Sequence, residues 1–197
     1  METVNRSRSP LYWGRVGAAL VAAAVAVSGV AAAVPAAGNP PSDIQRLRDR
    51  AEIEELTYCY AEATDAIGRG QVEVGRALYQ KCFTKDAVIG VYFPTDDPNG
   101  PPGLSSGPSA WADIVDDVFT TSGYLATQHL MGNVRIDIQG KTATMSTYLN
   151  ATHVIDPVGA IDLANGTYED VVVRTPQGWK IAQRTLRLIT FLRVESP

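Results

Sequence analysis

Residues 126–155 read ATQHLMGNVRIDIQGKTATMSTYLNATHVI, and this stretch decides the fold. Apolar and polar side chains alternate on both sides of Gln139-Gly140, a pair that is typical of a tight turn. The same strand pattern returns twice more before the chain ends. The predicted strands are 126–139, 142–155, 164–175 and 178–192. Four successive strands joined by short turns predict an antiparallel meander.

Three helices and one further strand are predicted upstream of the meander. The helices are predicted at 43–67, 72–81 and 109–121, and the strand at 86–93, from the spacing of their apolar residues. Residues 94–108 contain five prolines and three glycines, so we predict a long irregular loop there. Helices followed by a meander specify an α+β domain, in which the helices cover one face of a curved antiparallel sheet and enclose a pocket.

Composition and charge exclude several classes of protein. The chain has 197 residues, of which 45% are hydrophobic, and a net charge of −4. The first 41 residues carry one glutamate and three arginines, so the body, residues 42–197, is acidic and is predicted to be one domain. An acidic body without a basic cluster argues against nucleic-acid binding. Two histidines and two cysteines in total exclude zinc fingers and disulfide-rich scaffolds.

An uncharged stretch of small and apolar residues, 16–34, follows three arginines and precedes Pro35-Ala36-Ala37-Gly38. This pattern is typical of a secretory signal peptide, with residues up to 41 as a linker. The alternative is an uncleaved membrane anchor that tethers the protein, because 19 residues nearly cross a bilayer core of about 30 Å. Both interpretations predict export, as a secreted or extracytoplasmic protein.

The two histidines are the first candidates for chemistry. His153 falls in register with the apolar residues of the strand 142–155, so it is expected to face the pocket. His129 joins the apolar face of its own strand only if a bulge near Gly132-Asn133 reverses the register, and we assume that bulge. The alternative for each histidine is a core imidazole satisfied by a hydrogen bond.

Three segments carry a resemblance to a known family. They are AEIEELTYCYAEATD at 51–65, ATQHLMGN at 126–133, and GTYED at 166–170 continuing to GWKIAQR at 178–184. In this order and spacing they resemble the SnoaL-like and scytalone dehydratase-like branch of the nuclear transport factor 2-like superfamily. The resemblance implies a cone-shaped curved sheet wrapped around three N-terminal helices, with an apolar pocket at its open end. It implies no metal and no cofactor.

The resemblance also implies candidate catalytic residues. In the lyase members an aspartate near the end of the first helix pairs with a histidine on the strand after the third helix, and Asp65 and His129 match these positions. His153 matches a further polar residue on the next strand, and Tyr60 a pocket tyrosine. We expect the substrate to contact Tyr168, Met131 and Trp111. Tyr168 stands where scytalone dehydratase carries an amide side chain, so that enzyme's substrate contacts do not transfer.

The chemistry of elimination or isomerisation next to a carbonyl suits this set. Imidazole is a base near neutral pH, and a carboxylate on its other nitrogen fixes the tautomer. Asp65 would orient His129, His129 would abstract a proton, and Tyr60 or His153 would donate one. A helical wheel, however, places Asp65 opposite the Leu56 stripe of the first helix. Either the helix deforms before Asp65 or both of its faces are buried, and a solvated aspartate is the alternative.

Several alternatives stay open at this point. Asp65, His129 and His153 are also the residue types of a two-histidine, one-carboxylate metal site. Cys59 and Cys82 are either bridged, as export allows, or two buried thiols. The preferred hypothesis is an exported lyase or isomerase of the dehydratase type that acts on a small hydrophobic hydroxylated or carbonyl compound. The second is a non-catalytic small-molecule binding or assembly module. A homodimer or homotrimer is compatible with either.

Overall fold

The computed structural model describes residues 42–97, 99–157 and 159–195. The predicted export segment, residues 1–41, lies outside the described residues. None of the helices in the described part of the chain combines the length and the apolar composition that a membrane span requires.

Three helices form where the sequence predicts them. They are α1 (Asp43–Gly68), α2 (Val72–Cys82) and α3 (Pro108–Thr121). The side chain of Ser42 accepts a hydrogen bond from the amide of Gln45, which satisfies one free N–H of the first turn of α1. Each predicted boundary is within one residue of the observed one.

In the part of the chain that the structure describes, six strands form one curved, unclosed sheet. They are β1 (Phe83–Tyr92), β2 (Gly103–Ser106), β3 (Ala126–Gln139), β4 (Thr142–Asp156), β5 (Ala160–Thr175) and β6 (Gly178–Glu195). Their order in the sheet is β2-β1-β6-β5-β4-β3. The antiparallel meander from β3 to β6 is confirmed. β1 joins β6 in parallel, so the complete sheet is mixed rather than wholly antiparallel.

The prediction of an unbroken irregular loop over 94–108 was wrong for its second half. Gly103–Ser106 pairs antiparallel with β1 and forms the strand β2. These four residues lie after the last proline of the cluster, Pro102, and before Gly107-Pro108, so each keeps an N–H for pairing. β2 lies at one edge of the sheet and β3 at the other.

The bulge assumed for β3 is confirmed. The pairing of β3 with β4 shifts register between Gly132 and Arg135, and Asn133 adopts a positive φ of 52°. A single extra residue reverses the alternation of a strand. Met131 before the bulge and Val134 after it therefore both pack against the core.

Both faces of α1 are buried, which resolves the helical-wheel problem. α1 packs against α2 on one side and β3 on the other. Tyr60 is buried on the apolar stripe, and Thr57 and Ala61 are buried on other faces. Asp65 therefore reaches β3 without any deformation of the helix.

A disulfide joins the first two helices. Cys59 in α1 and Cys82 at the end of α2 are bridged, with their Cα atoms 5.9 Å apart. Of the two possibilities that the sequence leaves open, the structure has the bridge. It holds α2 against the middle of α1, the helix that carries Asp65.

Candidate functional site

A cavity of about 440 Å³ lies between the helices and the concave face of the sheet. Its wall is mostly apolar, and the residues of the predicted site that reach it are Tyr60, Trp111, His129, His153 and Tyr168. No lysine or arginine is among the described residues that line it. An apolar cavity with a few polar groups is the usual form of a small-molecule site.

Asp65 and His129 form a hydrogen-bonded pair at the wall of this cavity. The Nδ1 atom of His129 lies 2.7 Å from Oδ1 of Asp65. The backbone amide of His129 donates to Oδ2 at 3.1 Å, and the hydroxyl of Thr127 donates to Oδ1 at 2.9 Å. Three donors from β3 thus hold one carboxylate at the end of α1.

A close approach of α1 to β3 makes the pair feasible. A Cβ atom on Gly68 would lie 2.2 Å from the Thr127 hydroxyl, so only glycine lets the last turn of the helix come this near to the strand. Asp65 lies one turn earlier in the same helix and faces the same strand. The site therefore depends on the absence of a side chain at position 68.

The environment of Asp65 keeps its carboxylate charged. Burial on its own would raise the pKa of Asp65, but the hydrogen bonds and charge of His129, together with Thr127, bring that pKa below its usual value. A carboxylate that accepts a hydrogen bond from Nδ1 fixes the imidazole proton on that nitrogen. In the neutral tautomer, the lone pair then lies on Nε2, the nitrogen from which an imidazole acts as a base.

His153 lies beside the pair but is not hydrogen-bonded to it. Its ring contacts that of His129 edge to face, with centroids 5.5 Å apart. Its Nδ1 atom lies 3.4 Å from the backbone oxygen of Asp162. Burial, followed by the neighbouring His129, lowers the pKa of His153 to about 4. His153 is therefore neutral at physiological pH.

The lowered pKa of His153 predicts a pH dependence of stability. The unfolded chain takes up a proton at its ordinary pKa of about 6.5, whereas the folded chain does so only near pH 4. Stability must therefore fall as the pH drops through this window, by about 3 kcal/mol in total. Urea unfolding of the wild type and of His153→Gln from about pH 7 to about pH 4 measures it, and the wild type should show the steeper decline. Parallel declines would contradict the prediction.

The other predicted site residues have different positions. Tyr60 and Tyr168 lie at the buried base of the cavity, with their rings edge to face and 5.2 Å apart. Trp111 lines the cavity from α3. Met131 packs against the core and is not among the residues that line the cavity. Its contact with a substrate stays a prediction.

Sequence reasoning missed the residues that surround His153. Tyr124 stacks on its ring at 4.8 Å, and the Tyr124 hydroxyl donates to Asp162 at 2.8 Å. Arg193 donates two hydrogen bonds to the same carboxylate. Burial and the Asp162 carboxylate raise the pKa of Tyr124 to about 12, while Arg193 lowers that of Asp162. Thr127 was also missed, although its place two residues before His129 on one strand was a usable signal.

The metal alternative has no geometric support in the described residues. No three histidine, cysteine or carboxylate side chains there are arranged to hold an ion. Asp65 already accepts three hydrogen bonds from Thr127 and His129. These donors leave the carboxylate committed to the histidine.

These features define a class of protein, an α+β cone with a carboxylate–imidazole pair in an apolar cavity. The family model of the SnoaL-like domain matches residues 45–185, and the chain belongs to this family. The family prediction is thereby confirmed. Among curated proteins, none matches the chain.

Solved structures with the same fold include proteins from three bacteria. The Kfla4162 protein from Kribbella flavida is 23% identical, with a TM-score of 0.61 over 75% of this chain and 95% of that one. A protein from Novosphingobium aromaticivorans assigned as a scytalone dehydratase is 21% identical, with a TM-score of 0.57 over 77% and 90%. Hexachlorocyclohexane dehydrochlorinase LinA-type3 from Novosphingobium barchaimii is 18% identical, with a TM-score of 0.61 over 78% and 94%. At these identities the likeness concerns the fold.

Proposed function

We propose that this protein is an exported, cofactor-independent lyase or isomerase of the dehydratase type. The observation that carries the proposal is the 2.7 Å contact between Asp65 and His129 at the wall of an apolar cavity. The names of two structural neighbours, a dehydratase and a dehydrochlorinase, denote eliminations. The proposal extends that reaction type to this chain.

The proposed reaction begins with proton abstraction by His129. Its Nδ1–H donates to Asp65, so the lone pair of Nε2 accepts a proton from the carbon next to a substrate carbonyl. The positive charge that develops on the ring is stabilised by the Asp65 carboxylate. Thr127 and the backbone amide of His129 keep that carboxylate in place through the cycle.

The substrate we propose is a small hydrophobic compound with a hydroxyl and a carbonyl group. Among the described residues that line the cavity, only hydroxyl, indole and imidazole groups and Asp96 interrupt the apolar wall. A β-hydroxy ketone has the acidic carbon–hydrogen bond that His129 needs and a hydroxyl that can leave. His129 takes up that proton, the electron pair forms the carbon–carbon double bond as the hydroxyl group leaves, and the proton returned by His129 converts the leaving hydroxide into water, which gives an enone. Tyr60, at the base of the cavity, is the candidate donor to the carbonyl oxygen.

Export is part of the proposal. It rests on residues 16–34, and the disulfide between Cys59 and Cys82 supports it, because such bridges persist mainly in oxidising compartments. N-terminal sequencing of material recovered outside the cytoplasm distinguishes a cleaved signal peptide from a retained anchor.

A turnover assay tests the catalytic proposal. The wild type, Asp65→Asn and His129→Ala are incubated with a panel of uncharged aromatic β-hydroxy ketones, and enone formation is followed by absorbance. We expect the wild type to form enone from at least one member much faster than either variant does. If ligands bind but all three proteins react at the uncatalysed rate, the protein is a binding module instead.

A further inference from the structure

His153 is enclosed by rings on most of its sides. Tyr124 stacks on one face at 4.8 Å with an angle of 30° between the rings. Phe119 approaches at 5.5 Å and Phe191 at 6.3 Å, and His129 presents its edge at 5.5 Å. Only 5% of the residue is exposed. The orientation of this imidazole is therefore determined by packing, and its remaining freedom is the position of its proton.

The backbone determines the position of that proton. The carbonyl oxygen of Asp162, 3.4 Å from Nδ1 of His153, can only accept a hydrogen bond. The neutral ring therefore carries its proton on Nδ1, which leaves a lone pair on Nε2. Nε2 of His153 has no hydrogen-bond partner among the described residues, and the residue lines the cavity.

The charged and titratable groups around His153 keep its ring neutral, so Nε2 has no proton to donate. Asp65 and Asp162 favour the imidazolium, whereas burial and His129 oppose it, and the opposition is stronger. The Asp162 carboxylate is also occupied by other donors. It accepts from Tyr124 at 2.8 Å and from Arg193 at 2.9 and 3.1 Å. No proton on His153 is therefore shared with that carboxylate.

We propose that His153 is a hydrogen-bond acceptor for a hydroxyl group of the ligand, and so selects uncharged ligands that carry a donor there. The inference rests on the proposed function, because it concerns the same cavity. It replaces the sequence-based expectation that His153 donates a proton. The two histidines then have different roles. His129 removes a proton from carbon, and His153 accepts a hydrogen bond from a hydroxyl group.

The chemistry of the cavity wall argues against an anionic ligand. With no lysine or arginine among the described lining residues and a neutral His153, a phosphate or carboxylate would lie in an apolar cavity without a counterion. Burying an unpaired charge is strongly unfavourable. A hydroxyl group, in contrast, can donate a hydrogen bond to the lone pair on Nε2 of His153 without bringing a charge into the cavity.

The tautomer can be tested without any ligand. The chain has only two histidines, so ¹⁵N NMR of protein labelled at histidine resolves both rings, and His153→Gln identifies the signals. We expect His153 to carry its proton on Nδ1 and a bare Nε2 from about pH 8 down to about pH 5. Protonation of Nε2 in this range would overturn the proposal.

Two matched probes test the selectivity. 2-Naphthol and 2-methoxynaphthalene are both uncharged near pH 7. The second has a methyl group in place of the hydroxyl hydrogen, so only 2-naphthol can donate a hydrogen bond. The wild type should bind 2-naphthol about tenfold more tightly by isothermal titration calorimetry. The preference should disappear in His153→Phe and persist in His129→Phe. No preference in the wild type, or a preference lost with His129 instead, would overturn the inference.

The binding experiment with the two naphthalenes and the turnover assay test different claims. Neither naphthalene probe can undergo elimination, so their binding does not depend on catalysis. If the wild type and Asp65→Asn both prefer 2-naphthol while no β-hydroxy ketone is turned over, the lyase proposal fails and the role of His153 stands. If enone forms but the probes bind equally, the reverse holds.

Discussion

Replacing His129 with alanine is expected to lower the turnover of a substrate by about 100-fold to 10,000-fold, because the proposed reaction loses its general base. Asp65→Asn should cause a loss in the same direction, since an amide can present N–H to Nδ1 and move the imidazole proton to Nε2. The two losses should not add in the double variant, because the residues act as one unit. Initial rates for the wild type, both single variants and the double variant measure the coupling.

A matched control for the pair is Thr127→Val, which keeps the shape of the side chain and removes one of the three hydrogen bonds to Asp65. Its effect on turnover should be much smaller, because two contacts from His129 to the carboxylate remain. Circular dichroism and urea unfolding verify that each variant is folded. Fully additive losses for Asp65 and His129 would show that they do not function together.

Replacing Arg184 with methionine is expected to lower the free energy of unfolding by about 3–5 kcal/mol, because it leaves a buried carboxylate without its partner. Arg184 and Asp170 are both fully enclosed, and the guanidinium donates to both carboxylate oxygens at 2.8 and 2.7 Å. It also lies against the rings of Tyr60 and Tyr168, at 4.1 and 4.4 Å from their centroids. Burial opposes the charge, but Asp170 raises the pKa of Arg184 above its ordinary value.

The double variant Arg184→Met, Asp170→Asn is the control for this pair. Removing both charges avoids an unpaired carboxylate, so the double variant should lose less stability than the sum of the single variants. Urea unfolding at neutral pH with the disulfide intact provides the values. A loss below about 1 kcal/mol for Arg184→Met would mean that water or a neighbouring group compensates the unpaired carboxylate of Asp170.

Local patterns in the sequence are sufficient to predict much of this fold. The strands β3 and β4 and the turn at Gln139-Gly140 follow from alternation and turn chemistry within one short segment. The bulge at Asn133 could be inferred because apolar residues change from odd to even positions there. The ends of α1 follow from Ser42 before the helix and from Gly70, which has a positive φ just after it.

Contacts between distant segments could not be predicted in this way. The sequence of β2, Gly103–Ser106, does not indicate that β1 is its partner. The parallel pairing of β1 with β6 could not be predicted either, because the two strands are far apart in the chain. A helical wheel shows only the faces of α1 itself. It could not predict that Asp65 is buried, because that burial comes from the packing of β3 against α1. The pairing of Asp65 with His129 was predicted from the family resemblance. The residue pattern alone does not connect these two side chains, because they lie on different elements.

His153 shows the same contrast between what the local sequence predicts and what depends on distant segments. Its inward direction follows from the alternation in β4, but its protonation state depends on burial and on His129 and Asp162, which belong to other strands. An ion pair between Asp162 and Arg193 exists only once β5 and β6 are in register. The sequence therefore predicts which residue faces the cavity, and the tertiary structure determines what it can do there.

The parallel pairing of β1 with β6 has a consequence for the order of folding. It joins Phe83 to Ile181, so the ribosome must have made nearly the whole domain before this contact can form. Contacts between segments so far apart in the chain form late, because a long loop has to close first. β1, β2 and β6 all contribute to the cavity wall. The helices and the β3–β4 hairpin can form earlier, whereas a nascent chain acquires its binding cavity only when its last strand arrives.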